Sequence, residues 1–199
     1  AADRSSFRYS FRQGERVSFS FSFPYQLHHF ERFYARIAGM YPSVVRREVL
    51  ALSERLRAVP VVRVGNPQAE KAVLFTCRHH ACESTPNYLL EGLLEELLVK
   101  SSPILNEYII HCIPFIDIDG VEEGDQGKWR LPHDHNRDYV SQPIYQVTQA
   151  VMQYTRKLKP QVGIDCHGPF KWEGRNDHPF IVQAPAPVDA RVERFAEDL

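Results

Sequence analysis

Residues 75–92 read FTCRHHACESTPNYLLEG, placing His79, His80 and Glu83 where an apolar run gives way to a leucine-rich one. Imidazole nitrogen and carboxylate oxygen both bind zinc, at about 2.0–2.2 Å. His80 and Glu83 stand three apart, so a single tight backbone turn aims both side chains at one point. HxxE alone is a weak signal, because a polar loop at a strand end can hold the same residues for no chemical purpose. A second half of the site is needed, and His167 offers it at the end of the apolar run QVGIDCH. If the two runs are neighbouring strands, three protein ligands converge and a fourth position stays open for water, the pattern of a catalytic zinc. His79 does not fit the ligand spacing and reads as a loop histidine with a hydrogen bond.

These residues depend on the elements that carry them. KAVLFTC, residues 71–77, is apolar enough for a strand covered on both faces. A helix follows, with Ser84 or Thr85 as cap, Pro86 at its first position, and Leu89, Leu90, Leu93, Leu94, Leu97 and Leu98 at helical spacing as a core stripe. Residues 26–38 and 142–158 read as further helices. VVRREVLALSERLRAVPVVRVG reads as two strands around a polar turn at residues 53–55, and EYIIHCIPFI as another strand. Residues 117–141, rich in Asp, Gly, Pro, His and Asn, read as loop. PFIVQA and residues 187–198 read as a short strand and a final helix. Strands alternating with helices predict an α/β domain: a three-layer α/β/α sandwich around a mixed, largely parallel sheet, with ligands gathered at the strand ends. Residues 1–24 alternate aromatic and polar side chains around Gly14 and read as a hairpin, or the end of a preceding β domain, before a catalytic domain over 25–199. The same alternation could mark an aggregation-prone edge, but Pro24 ends it.

Composition narrows the partners. The chain has 199 residues, 24 basic and 25 acidic, for a formal net charge of −1. That balance gives no reason to expect nucleic acid or an anionic membrane surface. No apolar run approaches the roughly 20 residues of a membrane span, and the N-terminus has no apolar core of signal-peptide type, which points to the cytoplasm. Cys77, Cys82, Cys112 and Cys166 form no CxxC pair and read as free thiols.

The motifs, taken in order, resemble those of the zinc carboxypeptidases, the carboxypeptidase A-like metallopeptidases. RHHACES resembles their RxHxxE element, DGVEEGDQGKWRLPHDHNRDY the segment from Asp-Gly-Val to an Asn-Arg pair, and DCHG the element with the third zinc ligand. FSFPYQLHHFERF resembles the Phe-Pro-Tyr segment of the cytosolic carboxypeptidase branch. The resemblance implies one zinc per chain on His80, Glu83 and His167, with Asp134 orienting a zinc-bound histidine. It implies that Asn136 and Arg137 hold the C-terminal carboxylate of a peptide or protein, which suits a guanidinium fork; a surface salt bridge from Arg137 to Asp138 is the plainer alternative. Arg130 matches the arginine that stabilises the oxyanion, with Lys128 as competitor. His111, His133 and His135 receive no role.

The activity implied is zinc-dependent hydrolysis of a C-terminal residue. The family's general-base glutamate and substrate-gripping tyrosine match nothing before Leu199: Glu173 has no counterpart, and Glu193 and Glu197 read as solvated. The domain therefore reads as lacking its C-terminal part, and a protein ending at Leu199 is expected to bind zinc but hydrolyse peptides poorly. Two other functions stay open: a zinc deacylase or amidase on a small carboxylate-bearing substrate, and a pseudoenzyme that binds peptide C-termini without cleaving them.

Overall fold

The computed structural model describes residues 6–20, 22–168 and Arg194. Within residues 22–168 the helices and strands run in the order α1 (Leu27–Met40), β1 (Val45–Leu52), β2 (Ala58–Gly65), β3 (Lys71–Cys77), α2 (Thr85–Val99), α3 (Ile104–Glu107), β4 (Tyr108–Ile113), α4 (Ile118–Glu123), α5 (Gln146–Leu158) and β5 (Val162–Cys166). The strands form one sheet in the order β1-β2-β4-β3-β5. β1 and β2 pair antiparallel, as do β2 and β4, whereas β3 runs parallel to both β4 and β5. Half of the described pairings are thus parallel, and those are the ones that bring strand C-termini together.

Helices cover both faces, as an α/β sandwich requires. Phe30, Phe33 and Ile37 of α1 and Leu90, Leu94 and Leu98 of α2 recur at helical spacing and are buried. They pack on the face that includes Val62 and Cys112. α5 covers the opposite face, where the Tyr154 hydroxyl lies 2.7 Å from His111 Nδ1 and donates to Glu48 Oε1 at 2.9 Å. Leu89 departs from the expected core stripe: it is 57% exposed. Ser84 precedes α2, but its hydroxyl donates to the Phe23 carbonyl at 2.7 Å instead of capping, and Pro86 falls at the second helical position.

Two expectations about local structure need correction. Residues 117–141 are not wholly loop. Asp117 Oδ1 accepts from the Gly120 N–H at 2.9 Å and starts α4, which Gly124 ends in the left-handed region at φ 74°. A 3-10 turn follows at His135–Arg137. Residues 6–20 do reverse at Gly14, φ 75°, and bring Phe7 to 5.1 Å from Phe19 between ring centroids, but no strand pairing joins the two arms among the described residues. An isolated two-stranded ribbon lacks a sheet to lean on, and this is the usual reason such hairpins fail to close a ladder. The segments expected as PFIVQA and the final helix lie outside the described residues apart from Arg194. All four cysteines are free thiols, with Cys77 and Cys112 buried.

Candidate metal centre

The chain leaves β3 into a turn closed by the Glu83 N–H on the His80 carbonyl at 3.1 Å. This is the tight turn that HxxE spacing needs, and it sets His80 Nδ1 2.9 Å from Glu83 Oε1. β5 lies beside β3, with Cys77 opposite Cys166, so His167 emerges directly alongside. Its Nδ1 stands 2.8 Å from Glu83 Oε2. The ligand atoms of His80, Glu83 and His167 all fall within 4.8 Å of one another. Residues 84 positions apart in sequence therefore converge because two parallel strands end together.

The turn is braced from below. Arg78 sits at φ 63° and is buried. Its guanidinium donates to the Ala81 carbonyl, to the Tyr25 carbonyl at 2.9 Å and to Asn87 Oδ1 at 2.9 Å. From above, the segment after α4 crosses the turn. Cys82 N–H donates to the Gln126 carbonyl at 3.2 Å. A Cβ at Gly127, φ +81°, would lie 2.3 Å from the Ala81 nitrogen, so only glycine fits this crossing. The crossing delivers Lys128, whose ammonium stands 2.6 Å from Glu83 Oε1.

Electrostatics follow from this crowding. Burial alone would raise the Glu83 carboxyl, but hydrogen bonds from His167, His80 and Lys128 outweigh it and hold it well below the usual range. His167 faces Asp165 with one nitrogen and Glu83 with the other, and its imidazolium is pushed up to about 10. Both carboxylates only accept, so both ring nitrogens carry protons in this arrangement.

Does this donor set suit a zinc ion? A tetrahedral site with zinc–ligand bonds near 2.1 Å has ligand–ligand edges of about 3.3–3.5 Å. The 2.9 Å and 2.8 Å contacts from Glu83 to the two imidazoles need to open by only about half an ångström to match. A second observation agrees. His80 Nε2 and Asp134 Oδ1 are buried polar atoms without a hydrogen-bond partner, and His80 Nε2 lies 3.9 Å from Asp134 Oδ2. A cation on Nδ1 shifts the imidazole proton to Nε2, where Asp134 is placed to receive it. The residues fit the group.

The other expected residues divide. Asn136 lines a cleft with His79, Tyr139 and Asp165, close to the cluster. Arg137 has a side chain 68% exposed and donates to Asp134 Oδ2 at 2.9 Å. It does not pair with Asp138, which is buried and accepts from the N–H groups of Ile144 and Tyr145 and sits 2.6 Å from His133 Nε2. Arg130 commits its guanidinium to Asp117 and Asp125, each at 2.7 Å. Lys128, not Arg130, is the cation in contact with the cluster here. His135 stacks on Tyr145 with centroids 3.8 Å apart, and burial followed by the nearby Arg130 pulls its imidazole down to about 4.

Sequence reading missed Asp165. It sits two before His167 near the end of β5, and strand alternation puts residues two apart on one face, so the signal was present. His79, expected as a loop histidine with a hydrogen bond, makes one at each ring nitrogen, to Asp165 and Tyr139.

Comparison with known proteins places this geometry. The zinc carboxypeptidase family description matches residues 30–186. A curated relative, "Cytosolic carboxypeptidase 6" of Caenorhabditis elegans, is 24% identical over 178 residues, covering 81% of this chain and 39% of its own length. Among solved structures, a metallo-carboxypeptidase from Burkholderia cenocepacia superposes with a TM-score of 0.65 at 19% identity, over 79% of this chain and 43% of that one. A metallo-carboxypeptidase from Pseudomonas aeruginosa, in complex with (2-guanidinoethylmercapto)succinic acid, gives 0.61 at 22% identity, over 73% and 40%. The chain spans about two fifths of the length of these relatives. The family match covers well over half of the sequence, and the chain belongs to the zinc carboxypeptidase family.

Proposed function

We propose that this chain forms the metal-binding and chain-end-binding part of a zinc metallocarboxypeptidase that removes the C-terminal residue of a peptide or protein. The observation that carries it is the convergence of His80 Nδ1, the Glu83 carboxylate and His167 Nδ1 at the ends of two adjacent parallel strands. Bound zinc supplies Lewis acidity to a carbonyl and lowers the pKa of a coordinated water to about 7.

The chain's own residues do the rest of what is proposed. His80, Glu83 and His167 hold the ion, one per chain, and Asp134 orients His80. Arg137, exposed and tethered among the described residues only to Asp134, can turn its fork onto a terminal carboxylate, with Asn136 adding an amide N–H from the cleft wall. Holding the chain end restricts reaction to the last peptide bond. Arg130 is proposed for the oxyanion on the strength of the resemblance, and Lys128, in contact with Glu83, is its competitor. The carboxylates around the cluster are already committed: Glu83 to the ligand set, Asp134 to Arg137, Asp165 to His79, Thr76 and His167. The name of the curated relative supports a cytoplasmic setting.

The test is a panel of peptides that differ only in the last residue, with free or amidated ends, assayed on the full-length protein with metal content measured in parallel. Release of single residues from free ends alone supports the reading. Binding of free ends without cleavage indicates a C-terminus-binding relative, and turnover of small acylated carboxylates but not peptides indicates a deacylase.

A further inference from the structure

Asp165 is tied from three directions. Its Oδ1 accepts from the Thr76 hydroxyl at 2.8 Å and faces His79 Nδ1 at 2.8 Å, and its Oδ2 faces His167 Nε2 at 2.7 Å. A carboxylate only accepts, so Nδ1 of His79 and Nε2 of His167 are the protonated nitrogens. His79 Nε2 is then the acceptor for the Tyr139 hydroxyl, 2.6 Å away. A continuous line results: Tyr139 to His79, His79 to Asp165, and Asp165 to the back of His167. His79 is 3% exposed, so the line runs inside the protein for part of its length.

We propose that Asp165 is the positioning residue of His167, and that His79 and Thr76 hold its carboxylate in place for that task. This rests on the zinc reading of the cluster. Asp165 receives the Nε2 proton and so leaves Nδ1, on the Glu83 side, as the nitrogen that faces the ion. An acceptor of this kind fixes both the tautomer and the ring orientation of a ligand histidine. The role matches the one proposed for Asp134 toward His80. It also gives His79 a purpose that its spacing hides: its ring is a spacer that carries a donor to Asp165 while Tyr139 fixes its far end.

A rival reading is a second cation on His79, Asp165 and His167, whose ligand atoms also lie within 4.8 Å of one another. It requires His167 to bind ions through both nitrogens, so that its ring gives up both protons. It also breaks the bonds that now satisfy Asp165. The positioning role needs neither.

The experiment uses the full-length protein and four forms: wild type, Asp165→Asn, His79→Leu and His79→Asn. Zinc affinity is measured by chelator competition, the visible spectrum is recorded after cobalt(II) reconstitution, and thermal unfolding of the metal-free forms serves as a folding control. Asp165→Asn is expected to weaken zinc binding about 10- to 100-fold and to alter the cobalt spectrum. His79→Leu should weaken it less. His79→Asn should restore most of that loss, because the asparagine amide N–H replaces Nδ1–H, and a merely space-filling role would show no such rescue. The proposal is overturned if Asp165→Asn matches wild type in affinity and spectrum, or if wild type binds two equivalents and Asp165→Asn loses one. A wild type that takes up no metal overturns the zinc reading itself, a result separate from either.

Discussion

The ammonium of Lys128 stands 2.6 Å from Oε1 of Glu83, the carboxylate that also bridges the rings of His80 and His167. A positive charge on a proposed metal ligand opposes a dication. Lys128→Met should therefore tighten zinc binding, by about 3- to 10-fold, because a flexible lysine can swing into solvent and avoid part of the repulsion. Chelator competition on the two forms measures it. Weaker zinc binding in the variant would show that the ammonium does not oppose the ion in solution.

Arg137 should read a free carboxylate. Its fork can grip both oxygens, which lysine cannot do. Arg137→Lys should weaken ligands with a free C-terminus by about tenfold, or about 1.4 kcal/mol, because lysine keeps the charge and loses only the second bond of the fork, and leave amidated ligands nearly unchanged. Affinities of a matched peptide pair decide it: equal weakening of both removes Arg137 from the carboxylate.

Arg78 should be the costliest single loss beneath the site. Its guanidinium satisfies the carbonyls of Ala81 and Tyr25 and the Asn87 side chain, all in a buried setting. Arg78→Met leaves those acceptors without donors and should destabilise the fold by about 3–5 kcal/mol. Urea unfolding with chelator present isolates this from metal binding, and a loss under about 1 kcal/mol would mean that water replaces the guanidinium.

His111 should make stability fall in mild acid. Burial, with Arg63 adding to it and Glu48 opposing, lowers its imidazole to about 4, against the ordinary 6.5. The unfolded chain then binds a proton that the fold refuses. Stability is full above about pH 6.5 and is lost as pH falls towards 4, at no more than about 1.4 kcal/mol per pH unit. His135, also lowered to about 4, acts in the same sense. Asp117, raised to about 6 by burial, acts in the opposite sense over part of the range. Urea unfolding at pH 5 and 6.5 should show a smaller difference for His111→Gln than for wild type, and an identical difference would place His111 in contact with solvent.

Much of this was legible in the sequence, and the parts that were not share a cause. The strands, α1, α2 and α5 follow from hydrophobic periodicity, which reports burial directly. The convergence of His80, Glu83 and His167 was legible because a tight turn and a neighbouring strand end can bring residues of these types together. Leu89 broke the stripe because six leucines in ten residues overfill one helical face. α4 was hidden in a polar segment, although Asp117 and Gly124 mark its two ends. Contacts between distant loops leave no local pattern: the 2.3 Å approach at Gly127 and the placement of Lys128 against Glu83 exist only once β3 and β4 lie side by side. His79 looked idle because its partners, Tyr139 and Asp165, lie 60 and 86 residues away.

The placement of β5 beside β3 has a consequence for the order in which the protein assembles. During synthesis, His80 and Glu83 emerge together and can adopt their turn as soon as β3 has a neighbour in β4. His167 follows 84 residues after Glu83, and joins only when β5 docks on the free edge of β3. Closing a loop of that length is slow compared with forming a local turn. Until then a nascent chain carries only two members of the proposed ligand set. On that proposal metal capture waits for β5, whose docking acts as a latch on the centre.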